Sequence, residues 1–540
     1  MKRFIPSPCR TSRFVNAFPS LLLGFFLISG TAFAHSSSPA KPEKDHGHHG
    51  GNHQSHGEGG MIMRDGKQYR RGAGETVYKH MCVFCHGADG NGGGRATSYL
   101  YPWPRDFRKG IYKHRSTPSG SLPVDEDIYQ TIMKGVPGTA MPAWKSALSE
   151  EEAWSVIEYI KKFSPRFENE KPKEPIKINQ VPPTTTEASA HGKKLYEELR
   201  CQRCHGTDLK GEGPMASDLF DIWDHRAFVY DLTNPNTYKW GFNKKEIFMT
   251  LSTGVDGTPM KSYHHLTESE RWDLAAFVES KVKKDTFQPA EYEIDLNVKK
   301  ITSELDDEPE NTIWNDVPIN EVKLVPLNAR RDPINRVQLQ SLMNDEDIAF
   351  RVSWDDPVPN HTSSRHQDFK DAIALEFALG SVTLHTHGHN EPFFGMGNRG
   401  KPVNIWQWRA DWQKEIETKK ALEYATDEHM DMDVMIFGGE VNPVDSLSPF
   451  REVPIEELNA EGFGTLTPQP KTKQNITGKG VYKDGKWTVV FRRTLDSLNK
   501  WDVKFTSGHP ILMGFAVWDG KLQDRNGRKT ISMWQRLNLP

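Results

Sequence analysis

Cys82-Val83-Phe84-Cys85-His86, followed by Gly135-Val136-Pro137-Gly138-Thr139-Ala140-Met141, is the stretch on which the reading of the chain turns. The pair recurs, with Cys201-Gln202-Arg203-Cys204-His205 ahead of Gly254-Val255-Asp256-Gly257-Thr258-Pro259-Met260. From Cys82 to Cys201, His86 to His205 and Met141 to Met260 the offset is 119 residues, so the chain carries an internal repeat in register. C-x-x-C-H is the attachment signature of c-type haem. Two thiols one helical turn apart can form thioethers to one porphyrin, and the adjacent His then lies under the iron. Met141 and Met260 are placed to complete the opposite side, and His/Met ligation suits electron transfer. Paired CxxC half-sites also bind zinc. Zinc leaves unexplained the His directly after the second Cys and the matched Met, each present twice.

The 540 residues are enough for roughly three or four domains. A net charge of −3 and 36% hydrophobic residues describe a polar chain with no basic field for nucleic acid. Of five cysteines, Cys82, Cys85, Cys201 and Cys204 belong to the repeated motif and Cys9 lies in the leader, so no pair is left for a disulfide. That leader has a basic start (Lys2, Arg3, Arg10, Arg13), an apolar run Leu21 to Ile28 and a small-x-small site, Ala32-Phe33-Ala34. It predicts a signal peptide over 1–34, cleaved after about Ala34, with export to the periplasm. The run is short for a membrane helix and no later stretch could span a bilayer, so no transmembrane span is expected after cleavage.

Residues 35–70, with His35, His46, His48, His49, His53 and His56 among Gly and Ser, cannot build a core and read as a disordered tail. The first repeat unit covers 71–168. Ser149 and Glu152 form a capping box before an apolar stripe of Trp154, Ile157, Ile160 and Phe163. A proline-rich linker, 169–187, leads to the second unit, 188–285, where Thr267 and Glu270 cap a helix holding Trp272, Leu274, Phe277 and Val278. A helix, a haem motif, a Met loop and a C-terminal helix resemble class I cytochrome c. The resemblance implies two small all-α domains whose terminal helices pack over one haem edge.

From about residue 290 the period falls to two. Phe350, Val352 and Trp354 alternate, as do Ile373, Leu375 and Phe377, and Trp487, Val489 and Phe491 after the Asp484-Gly485 turn; further strands are expected at Val403 to Trp408 and Ile511 to Trp518. The pattern predicts an antiparallel β-sandwich over 290–540, able to shield an apolar ring between its sheets. The segments Asp345 to Asp356, Gly395-Met396-Gly397 with Val403 to Trp408, Asp484 to Trp487 with Phe491-Arg492-Arg493, and Phe515 to Gly520 then carry a second resemblance, to the haem-binding domain of the ethylbenzene dehydrogenase gamma-subunit family. That family serves periplasmic molybdenum enzymes related to dimethyl sulfoxide reductase, nitrate, chlorate and nitrite oxidoreductase relatives included. It binds a haem b noncovalently with a Met as one axial ligand, and Met396 matches; by position alone this Met reads as core filler. A Lys supplies the other ligand in relatives. Lys471, Lys473 and His509 are candidates here, and Arg492 and Arg493 could pair with propionates. His385, His387 and His389 have spacing for a metal site, although a polar loop explains them more simply.

The resemblance implies a periplasmic multihaem carrier with two covalently bound haems c and one noncovalent haem b. Its expected partners are the molybdopterin catalytic and iron–sulfur subunits of an oxidoreductase and a soluble or membrane-bound electron carrier. The alternative is a self-contained haem enzyme, peroxidase-like or a small-molecule oxidoreductase, with an open coordination position.

Overall fold

The structure, a computed structural model, describes residues 61–64, 67–70, 73–287, 293–362, 367–380, 391–418, 452–497, 499–506 and 508–540, with backbone alone over 61–70 and at 418. The leader, residues 35–60 of the His-rich tail and the His385, His387 and His389 group lie outside the described residues; the end of the tail forms an antiparallel hairpin, Met61–Arg64 with Lys67–Arg70, which corrects the expectation of disorder there. No described helix is long and apolar enough to cross a membrane.

Each repeat unit folds as the motif requires. In the first, α1 (Ala73–Val77) runs through a π-turn at Tyr78–Cys82 into α2 (Val83–His86), which puts both cysteines and the His on adjacent turns. Helices α3 (Asp125–Lys134) and α4 (Glu150–Lys161) follow. The Ser149 hydroxyl accepts from the Glu152 amide at 3.2 Å, and Glu152 returns a bond to the Ser149 amide at 2.9 Å, closing the expected capping box. The apolar stripe of α4, with Trp154, Val156, Ile157 and Ile160 buried, packs on Val77, Tyr78, Met81, Ile128 and Ile132. Burying each such side chain contributes roughly 1.5–3 kcal/mol.

The second unit repeats the plan with α5 (Thr186–Glu198), α6 (Gln202–His205), α7 (Lys244–Thr253) and α8 (Glu268–Glu279). In both units a glycine sets the crossing of the terminal helices. A Cβ on Gly74 would lie 2.0 Å from the Ser155 carbonyl oxygen, and one on Gly192 would lie 2.0 Å from that of Asp273. The linker runs extended across the first unit, with the Ile176 amide donating to the Ser116 carbonyl at 2.9 Å.

The C-terminal part is the expected sandwich. One sheet runs β6 (Thr477–Lys483), β7 (Lys486–Thr494), β2 (Asp347–Asp355), β1 (Arg336–Met343). The other runs β5 (Ile455–Ala460), β4 (Val403–Arg409), β3 (Ala372–Ala378), β8 (Ile511–Trp518), extended by short strands such as Thr530–Ile531. Register pairs Phe350 with Phe491, Val352 with Val489 and Trp354 with Trp487. These side chains meet Ile373, Leu375, Phe377, Trp406, Trp408, Phe515 and Val517 from the facing sheet in one buried core. The space between the sheets is therefore filled, and the expectation of a ring held there is corrected. The cavity lies on the outer face of the β5-β4-β3-β8 sheet.

The first cytochrome unit covers that outer face. The Tyr101 amide donates to the Leu327 carbonyl at 2.9 Å, and Tyr101 forms a parallel bridge with Asn328. Phe84 stacks on Phe393 at 4.3 Å and Tyr99 on Phe463 at 5.5 Å. Met533, from the C-terminal part, belongs to the core of the first unit.

Candidate functional site

The first CxxCH motif and its Met converge. Cys82, Cys85, His86 and Met141 line a single apolar cavity with Phe107, Ile128, Ile132, Trp144 and Leu148. His86 Nδ1 lies 3.1 Å from the Arg105 carbonyl oxygen, a contact that places the proton on Nδ1 and leaves Nε2 free as a ligand. The ring stacks on Phe107 at 4.5 Å. The Met loop is closed by its own bonds: the Val136 amide donates to the Met141 carbonyl (3.0 Å) and the Met141 amide to Thr139 Oγ1 (3.2 Å). The second loop repeats this, with Val255 to Met260 at 2.9 Å and Met260 to Thr258 Oγ1 at 3.2 Å. Cys201 and Met260 both pack against the core of the second unit.

Burial pushes the His86 and His205 imidazoles down to about 4, so both are neutral near pH 7 and keep a lone pair for a metal. The two differ at Nδ1. His205 Nδ1 is buried and has no hydrogen-bond partner. These donor sets fit covalently held haem, with a neutral imidazole and a thioether at each site.

The two units meet through their Met loops. Asp256, in the second loop, pairs with Arg115 at 2.8 Å and accepts from Ser119 Oγ and the Gly120 amide, each at 2.7 Å. In return Tyr230 Oη donates to the Gly138 carbonyl of the first loop at 3.3 Å, and Lys239 Nζ donates to Pro137.

The outer-face cavity is floored by small and apolar side chains of the sheet, Ala374, Ile405, Leu458, Ala516 and Trp518. Met396 lines it from a loop in which Met396 and Gly397 both have positive φ, 74° and 69°. For Met that conformation is uncommon and is held by neighbours: its amide donates to Glu376 Oε1 at 3.0 Å and its carbonyl accepts from the Gly462 amide at 2.7 Å. Lys529 is a further wall residue, with its Nζ 4.6 Å from the centre of the Trp518 ring. Burial pushes its amine down to about 8 while the Glu376 carboxylate opposes, which eases loss of the proton that a nitrogen ligand must give up. A thioether and an amine lining one largely apolar cavity fit a haem held without covalent bonds.

The other sequence candidates lie elsewhere. His509, Lys471 and Lys473 are exposed and line none of these cavities. Arg492 pairs with Asp307 (2.7 Å) and Asp347 (3.0 Å) on the opposite sheet. Arg493 is buried against Trp406 and Phe505, 3.6 Å from Glu457. The reading of these two as propionate partners is corrected, because both guanidiniums are used within the sandwich. Lys529, Glu376, Phe393 and Phe394 were not singled out by the sequence. Alternation would have helped with Lys529, which shares a face with the wall residue Ile531 two positions on.

Comparison with known families agrees with this layout. Residues 311–530 match the model described as ethylbenzene dehydrogenase; 70–160 match cytochrome C oxidase, cbb3-type, subunit III; and 189–281 match cytochrome c. A protein of Haloferax mediterranei, assigned as a respiratory nitrate reductase heme subunit, is 29% identical over 42% of this chain, which spans 66% of that protein's length. Chlorate reductase subunit gamma of Ideonella dechloratans is 25% identical over 42% of this chain and 77% of its own length. Among solved structures, the Kuenenia stuttgartiensis reducing HAO-like protein complex has a chain 40% identical over 39% of this one and 96% of its own length, with a TM-score of 0.38.

Proposed function

We propose that this chain, two cytochrome c domains followed by an ethylbenzene dehydrogenase-family domain, is a periplasmic electron-transfer subunit. It would hold two covalent haems c and one noncovalent haem b, and relay electrons between a molybdopterin oxidoreductase and a separate carrier. When bound, each haem supplies an iron that cycles between two oxidation states and so carries one electron.

One observation carries the reading. Cys85, Leu100, Ala140, Phe393 and Phe394 line both the outer-face cavity and the cavity of the first CxxCH motif. A single layer of side chains thus separates the two sites, and the Met loops join the first c site to the second. The order b, first c, second c follows. Within it His86, Met141, His205 and Met260 hold the c irons, and Met396 with Lys529 holds the b iron. The Phe393 and Phe394 rings exclude water between sites. Gln407 and Arg409 also line the outer-face cavity, with the Arg409 guanidinium paired to Asp411. The relatives' descriptions as heme and gamma subunits support a carrier that works with a catalytic partner.

Six-coordinate irons distinguish this reading from a self-contained haem enzyme. The fully reduced chain should keep its spectrum under carbon monoxide, because each iron has two protein ligands. Stoichiometric carbon monoxide binding at any haem would instead favour the enzyme with an open position.

A further inference from the structure

The end of the sandwich carries a second chemical feature that electron transfer does not use. Asp356 follows β2, Asp371 precedes β3 and Asp519 follows β8, so the topology brings three strand ends together. All three residues are buried, at 1%, 0% and 6% exposure, and each offers a carboxylate oxygen within 4.8 Å of the others. Two oxygens bound to one calcium ion at about 2.4 Å can be no more than ~4.8 Å apart, so the spacing suits a shared centre.

Hydrogen bonds use only part of this oxygen set. Asp371 accepts from the Gly520 amide (2.9 Å), the Asn360 amide (2.6 Å) and Trp487 Nε1 (2.9 Å), which hold it rigidly. Asp356 Oδ1 accepts from the Val358 amide at 3.0 Å, while its Oδ2 is buried and meets no N–H donor, only the neighbouring Asp371 carboxyl. Asn360 Oδ1 is likewise buried and unpartnered, and its Cβ stands against Gly520, next to Asp519. Burial first, and then neighbouring carboxylates, push the Asp356 and Asp371 carboxyls above their usual range. Uncompensated buried carboxylates are costly, and a divalent cation removes that cost.

We propose that Asp356, Asp371 and Asp519, with the side-chain oxygen of Asn360, form a divalent cation site of the calcium class. Hard oxygen donors without His or Cys exclude a zinc-type set, and a buried pocket suits calcium better than magnesium, which keeps its waters. The cation ties three strand ends together and fixes the start of the loop that runs from Asp519 to Lys529. Cation uptake is independent of the haem ligand reading above.

The test uses the purified full chain, dialysed against EGTA and titrated with calcium chloride alone. About one Ca²⁺ per chain should bind, with a Kd of ~1 mM or tighter, the range of extracellular calcium modules. EGTA should lower the unfolding temperature, and Ca²⁺ but not Mg²⁺ should restore it. Asp356→Asn and Asp519→Asn should weaken uptake at least about tenfold, since ligand charge sets affinity. Asn360→Ala, which keeps all three carboxylates, should weaken it less. Absence of uptake by the wild-type chain, with no response to EGTA, overturns the site and leaves the carboxylates sharing protons. Uptake unchanged in folded variants overturns it equally, as binding elsewhere on the surface.

Discussion

Lys529→Ala should empty the outer-face cavity of haem b while both covalent haems stay in place. Lys529 is half-buried, lines the same cavity as Met396 and is held beside the Trp518 ring. Alanine removes the lysine nitrogen from that wall. Loss of even an outer-shell partner weakens a metal site by about 10–100-fold, so loss of a ligand should cost at least that. The thioether sites depend on Cys82, Cys85, Cys201 and Cys204 and should be unaffected. Haemochrome spectra of whole protein and acid–acetone extract measure both quantities, and circular dichroism checks the fold. Lys529→His, which restores a nitrogen donor, should recover part of the b signal. A Lys529→Ala chain with full haem b would remove Lys529 from the ligand set.

Met141→Ala and Met260→Ala should each lower the potential of one haem c, on the order of 0.2 V, within the roughly 0.8 V span that axial ligands command. Neither substitution touches the thioethers, so haem content should hold. The affected iron should also begin to bind carbon monoxide, which links this result to the coordination test above. Redox titration followed spectroscopically reads the shift. Unchanged potentials in both variants would contradict the assignment of these Met residues.

Much of this arrangement was legible in the sequence because its causes are local. The CxxCH motif lies within five consecutive residues, the Met loops carry their own Val and Thr bonds, and Ser149 and Thr267 cap helices by contacts three residues away. Alternation likewise exposed the inner face of the sandwich, since Ile373, Leu375 and Phe377 are large and apolar. Its limit was the other face. Ala374 and Glu376, which alternate with those apolar positions, wall a cavity that a separate unit, more than 200 residues earlier in the chain, closes. No local pattern encodes that docking. Lys529 was missed for the same reason: a lysine after a turn looks solvated until the covering domain buries it. Arg492 and Arg493 failed in the opposite sense, because carboxylates distant in sequence, Asp307, Asp347 and Glu457, already face them.

The central claim is a chain of three haems of two kinds, and the most direct test is their count per polypeptide. Purified protein is partitioned in acid–acetone and each phase assayed as the pyridine haemochrome, with intact mass measured in parallel. The account predicts two haems c retained by the polypeptide and one haem b extracted. An extract without haem b, from protein folded with haem in excess, would contradict it.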